Sequence, residues 1–169
     1  MGYQVVSYEP DTNHAEIAKS YLKGYANHSF HRCAVSSYDG KATFTRILNN
    51  TTGSYINDKR ESYGPTVVYE VDVVNASHLS GQYDLFKLDV EGSEVDILSS
   101  FNQEDFQVSD FIVEISSPVS RYNFWQIFSK NKIPVYSQKN SWEKVRVMEQ
   151  LPTSHKEGSV FISSKNTWS

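Results

Sequence analysis

Carboxylates placed at the ends of strand-like runs are the residues of this sequence best suited to chemistry. In "LFKLDVEGSEVDIL", residues 85–98, an apolar run leads into Asp89 and Glu91, with Glu94 and Asp96 close behind. In "DFIVEIS" the run ends at Glu114, and in "YQVVSYEPD" it ends at Glu9 beside Pro10. Strands disfavour acids, so Asp89, inside the strand pattern, needs a reason beyond solvation. A carboxylate there can orient a substrate hydroxyl and take its proton, and burial or a neighbouring acid would raise its pKa. Asp89 and Glu91 straddle Val90, which in extended geometry sends both to the same side of the backbone. Two close carboxylates could also hold a divalent cation, but no histidine stands at ligand spacing and no metal is expected. Glu9 has the chemistry to accept hydrogen bonds from both hydroxyls of a ribose, although "YEP" alone fits a solvated turn acid as well.

Other residues have ordinary explanations. Ser93, Glu94 and Asp96 suit a helix start, with Ser93 as cap and Glu94 in the first turn. The histidines, His14, His28, His31, His78 and His155, show no paired spacing. Cys33 reads as a buried strand residue rather than a nucleophile. Phe124, Trp125 and Phe128 read as core rather than as a substrate platform.

Positioning these acids requires strands alternating with helices. Val5 and Val6 lie in a short strand that Pro10 ends, since proline has no N–H to pair. "DTNHAEIAKSYLKGY" has helical spacing, with Asp11, Thr12 or Asn13 as cap and Gly24 as stop. "FHRCAVSSYDG" reads as one short strand closed by a "YDGK" turn, "KATFTRIL" and "TVVYEVDVV" as further strands, and "NNTTGSYINDKRESYG" as a polar loop between them. Gly92 allows a tight reversal from the strand at Asp89 into a helix over about 93–101, with Val95, Leu98 and Phe101 on one face. "DFIVEIS" is another strand, "RYNFWQIFSKNK" a helix, and "IPVYSQ" and "GSVFISSK" closing strands. This alternation predicts an α/β fold with a mainly parallel sheet, and ligands bind such sheets beyond the carboxyl ends of the strands.

The chain has 169 residues, 38% of them hydrophobic and 21% charged, which fits one globular domain with a core. A net charge of -4 and no basic run argue against a nucleic-acid partner. One cysteine excludes an internal disulfide, and no signal peptide or membrane-spanning run is visible. A soluble, cytoplasmic protein is therefore expected.

"LFKLDVEGSEVDIL" closely resembles the "IKIDVEGAELEVL" signature of the FkbM family of S-adenosylmethionine-dependent methyltransferases. Other segments follow in the family's order. "QVVSYEPD" is similar to its second strand and ribose-binding acid, "RCAVSSYDGKATFT" to its "AVSDKDGEVEF" segment, and "TTGSYI" to its Gly-Ser loop. "VYEVDVV" resembles the strand before the signature, and "DFIVEIS" the family's "ILVEIH" strand. The likeness covers about residues 3–117, and the part from Ser120 onward matches weakly.

The resemblance implies a Rossmann-like class I methyltransferase sheet and methyl transfer from S-adenosylmethionine to a hydroxyl of a sugar, polyketide or other small-molecule or glycan acceptor. It implies that Glu9, with Pro10, binds the cofactor ribose. It places Ala34 and Val35, within the segment from Cys33 to Ser36, beside the adenine. It further implies that Asp89 and Glu91 line the reaction centre with Glu114 nearby, Asp89 also touching cofactor and being the first choice of proton acceptor. One departure stands out. The family opens with a strand and a "DVGANIG" turn whose glycines let backbone approach the cofactor, yet the eight glycines of this chain include no G-x-G pair. The first central strand is thus expected to be missing, and "MGYQVV" reads as the end of a helix running into a strand. These features lead to the expectation of a methyltransferase domain cut at its amino end, which binds cofactor weakly or not at all by itself. The alternatives are a non-catalytic α/β binding module or partner-complemented remnant, and another nucleotide-binding α/β enzyme.

Overall fold

A computed structural model describes residues 2–57, 64–131 and 133–163. Residues 58–63 of the expected polar loop and the end of "GSVFISSK" lie outside the described residues. The chain forms two compact units, Met1–Asn75 and Ala76–Ser169.

In the first unit β1 (Val5–Tyr8) runs parallel to β2 (His28–His31), joined by α1 (Thr12–Leu22). Pro10 ends β1 as expected, but the Glu9 N–H still donates to the His31 carbonyl at 3.0 Å, so Glu9 leaves the strand with its backbone fixed. Asp11 is the cap of α1: one carboxylate oxygen accepts from the N–H groups of Asn13 and His14 at 2.8 and 3.1 Å. Four further strands form a second sheet in the order β3-β6-β4-β5, comprising β3 (Ala34–Ser36), β4 (Gly40–Ile47), β5 (Tyr55–Ile56) and β6 (Thr66–Asn75). Ala34, Ala42, Phe44, Ile56, Val71 and Val73 make its core.

"FHRCAVSSYDG" is therefore two strands in two sheets. β1 ends at Tyr8, so the chain beyond His31 loses that partner and pairs with β6 instead. Cys33 is buried, as expected, but lies in the break between the strands. Burial, helped by Asp72, pushes its thiol pKa up, away from nucleophile chemistry.

In the second unit the sheet order is β10-β9-β11-β8-β7. β7 (Leu85–Leu88) runs parallel to β8 (Asp110–Glu114), whereas β11 (Ser159–Ile162), β9 (Val135–Ser137) and β10 (Glu143–Lys144) add on antiparallel. β7 is an edge strand among the described residues. Helices α2 (Glu94–Ser99), α3 (Asp105–Val108) and α4 (Pro118–Asn131) complete the unit. Its core is aromatic: Phe111, wholly buried, stacks on Phe86 at 5.0 Å and meets Phe101 at 5.1 Å and Phe106 at 5.0 Å. Phe124 and Phe128 of α4 are buried and stack at 4.4 Å, so they are core, as expected.

The expectation of a mainly parallel sheet is corrected to mixed sheets. β4 and β6 pair antiparallel along the whole of β4, and β3, parallel to β6, is joined to β4 by a short turn. The short turn before Gly40 cannot make a parallel crossover, which needs a dozen or more residues. It passes instead over the end of β6, where Asp39 accepts from the Asn75 N–H at 2.9 Å.

Candidate functional site

Parallel pairing of β7 with β8 puts Leu88 opposite Val113, so the two chains leave the sheet side by side as Asp89 and Glu114. Their carboxyls share a hydrogen bond. Lys87, on the same side of β7 as Asp89 by strand alternation, holds Asp89 Oδ2 through Nζ at 2.7 Å. Burial works against the charged form of Asp89, but Lys87 and the bond with Glu114 outweigh it, and its pKa lies below the usual value. Glu114 goes the other way. Burial first, then the charges of Asp89, Glu91 and Glu94, push it up to about 7. The two adjacent carboxyls are thus shifted in opposite directions, Asp89 down and Glu114 up, which places a shared proton on Glu114 below about pH 7.

Glu91 departs from expectation. It does not continue an extended strand beside Asp89, because its φ is 55°, in the left-handed region, followed by Gly92 at 108°. The reversal at Gly92 is as expected, but it begins one residue earlier. Glu91 nevertheless contributes its charge to Glu114.

Glu94 is the other finding. It is buried rather than solvated in a first turn, and its carboxylate accepts from the N–H groups of Val90 at 3.1 Å and Gly92 at 3.1 and 3.2 Å. Burial raises its pKa even so. Ser93 occupies the cap position of α2 but makes no capping bond with its side chain. Glu94 therefore closes the turn that carries Asp89 out of the sheet.

In the first unit Glu9 is oriented from two sides. Its Oε1 accepts from the Asp11 N–H at 2.7 Å, and its Oε2 lies 3.9 Å from His14 Nδ1. Burial, against the help of these partners, raises its pKa. Asp11 is clamped in turn by Arg46, whose Nε and Nη2 donate to its two oxygens at 2.6 and 2.7 Å. Arg46 also reaches the Thr12 and Tyr69 hydroxyls at 2.8 and 2.9 Å. Of the expected adenine neighbours, Ala34 gives its methyl to the core, leaving its backbone as what could face a ligand, while Val35 is half-buried on the opposite face of β3.

Sequence similarity adds to this geometry. The family model for the "Methyltransferase FkbM domain" matches residues 1–151. The chain belongs to the FkbM methyltransferase family. A crystal structure of Methyltransferase FkbM from Methylobacillus flagellatus KT superposes with a TM-score of 0.54 over 95% of this chain, at 12% sequence identity. This FkbM chain spans 36% of that neighbour's length. No curated protein shows significant sequence similarity to it.

Sequence reasoning missed Lys87, Arg46 and the turn-closing role of Glu94. Lys87 was legible, since it stands two residues before Asp89 in a strand pattern. Arg46 was not, because it lies far from Asp11 along the chain and only the fold joins them. Among the described residues of this FkbM chain no group of three or more His, Cys, Asp or Glu side chains is arranged to hold a metal ion. Nor is any helix among them long and apolar enough to cross a membrane.

Proposed function

We propose that the protein transfers a methyl group from S-adenosylmethionine to a hydroxyl of a sugar or other secondary-metabolite acceptor, with Asp89 and Glu114 as a joined proton acceptor. The observation that carries this reading is the shared hydrogen bond of Asp89 and Glu114 at the ends of neighbouring parallel strands. Such a strand end is where α/β folds bind ligands. A proton acceptor works best with a pKa near the working pH, and Glu114 at about 7 meets that condition.

The residues present fit the ribose part of the cofactor. Glu9 is about one-third exposed, has its Oε1 fixed by the Asp11 N–H, and keeps lone pairs for two hydroxyl donors. When bound, S-adenosylmethionine supplies a methyl group already activated by its sulfonium, so the protein's main task is alignment. Asp89, held by Lys87, orients the acceptor hydroxyl. Glu114, once it has given up its own proton, takes up the proton that the hydroxyl releases. The sequence makes Asp89 the first choice of base; the opposite shifts of the two carboxyls divide the work between them.

The test is transfer of labelled methyl groups by the protein, at millimolar S-adenosylmethionine, to a panel of hydroxylated acceptors, with Asp89→Asn and Glu114→Gln beside the parent. Transfer to an acceptor oxygen, reduced about 100-fold or more in either variant, is the expected result. Full turnover by both variants overturns the role of the pair. The absence of both methyl transfer and S-adenosylhomocysteine binding at millimolar concentration overturns the enzyme reading and favours a non-catalytic binding module.

A further inference from the structure

We propose that Lys87 is a positioning residue that gives the two carboxyls their different tasks: by holding Asp89 it keeps that carboxylate ionised and leaves Glu114 as the group that carries and releases the proton. This rests on the reading of Asp89 and Glu114 as the proton acceptor.

Two carboxyls joined by one proton divide it according to their ordinary pKa values, 3.8 for Asp89 and 4.5 for Glu114, and to what surrounds each of them. The structure adds to that difference on one side. Lys87 Nζ lies 2.7 Å from Asp89 Oδ2, and alternation along β7 fixes both residues on one side of the strand. The charged groups acting on Glu114 are Asp89 from the end of β7, Glu91 from the turn and Glu94 from α2, all of them acids. Burial of Glu114, the cation on Asp89 and the further anions around Glu114 together drive the proton to Glu114.

A lysine on an edge strand has another reason to be there, since charge discourages edge-to-edge pairing. The Lys87 side chain is also 65% exposed, and an exposed ion pair contributes little to stability. The two roles differ in what they predict for the carboxyls.

The experiment follows the side-chain carboxyl carbons of Asp89 and Glu114 by carbon-13 NMR through a pH titration of the 169-residue chain. It compares the parent with Lys87→Met and Lys87→Arg. In the parent, the step near neutral pH should move the Glu114 carbon far more than the Asp89 carbon. In Lys87→Met the step should rise by about half a pH unit or more, with the Asp89 carbon taking a larger share of the movement than in the parent, and Lys87→Arg should restore the parent pattern. A Lys87→Met titration identical to the parent overturns the proposal, since an edge-guarding lysine would leave the carboxyls untouched. The titration needs neither cofactor nor acceptor, so the two readings fail separately. The expected asymmetry without methyl transfer supports the assignment of Lys87 and sinks the enzyme reading. Methyl transfer with an unchanged titration does the reverse.

Discussion

Glu114 keeps its proton up to about pH 7 in the folded chain, whereas the same carboxyl in an unfolded chain loses it near its ordinary value of 4.5. Between those values the folded state binds more protons, so this group makes stability fall as pH rises through the window. Glu114→Gln removes the penalty. Its melting temperature should exceed the parent's by about 2–5 °C at pH 8 and by little at pH 4.5, as read by thermal unfolding at the two pH values. For methyl transfer, kcat/KM should rise with pH through about 7 as the pair gives up its shared proton, and this rise should vanish in Glu114→Gln. The importance of Asp89 was legible because an acid inside a strand pattern has no packing reason to be there. The elevated pKa of Glu114 was not, because it depends on which strand lies next to β7, a fact of topology rather than of local sequence.

The turn from β7 into α2 is built on two unusual residues, and each yields a measurable change. Glu94 satisfies the N–H groups of Val90 and Gly92 from a buried position, so Glu94→Ala should cost about 1–3 kcal/mol in urea unfolding, and Glu94→Gln, which keeps one acceptor oxygen, less. Glu91 adopts a φ of 55°, which glycine tolerates without penalty, so Glu91→Gly should stabilise rather than destabilise, by up to about 1 kcal/mol. In α1, Asp11 caps the helix and neutralises buried Arg46 at once. Asp11→Ala should therefore cost about 3–5 kcal/mol by the same measurement, well above an ordinary cap, because a buried cation loses its partner. The sequence allowed three candidate caps for this helix, and Arg46, a residue on another strand, selects among them.

Across the molecule, most helices and strands were legible from apolar periodicity, and their pairing was not. Alternating strands and helices suggested parallel crossovers, yet β4 and β6 pair antiparallel, and β9, β10 and β11 follow suit. Short strands such as β5 and β10, two residues each, carry too few side chains for any period to show. The glycine pattern does make a prediction at this scale. With no G-x-G turn, the 169 residues by themselves should bind S-adenosylhomocysteine with a Kd of about 1 mM or weaker by calorimetry. Finally, β7 is the edge of its sheet among the described residues, with exposed Leu85 and Lys87 facing one way and buried Phe86 and Leu88 the other. An edge strand of that kind is a template for any extended segment that meets it, so the colloidal behaviour of the chain depends on the lysine that also sets the state of the carboxyls. Selection for a working proton acceptor and selection against aggregation would then act on one side chain, and neither could change Lys87 without disturbing the other.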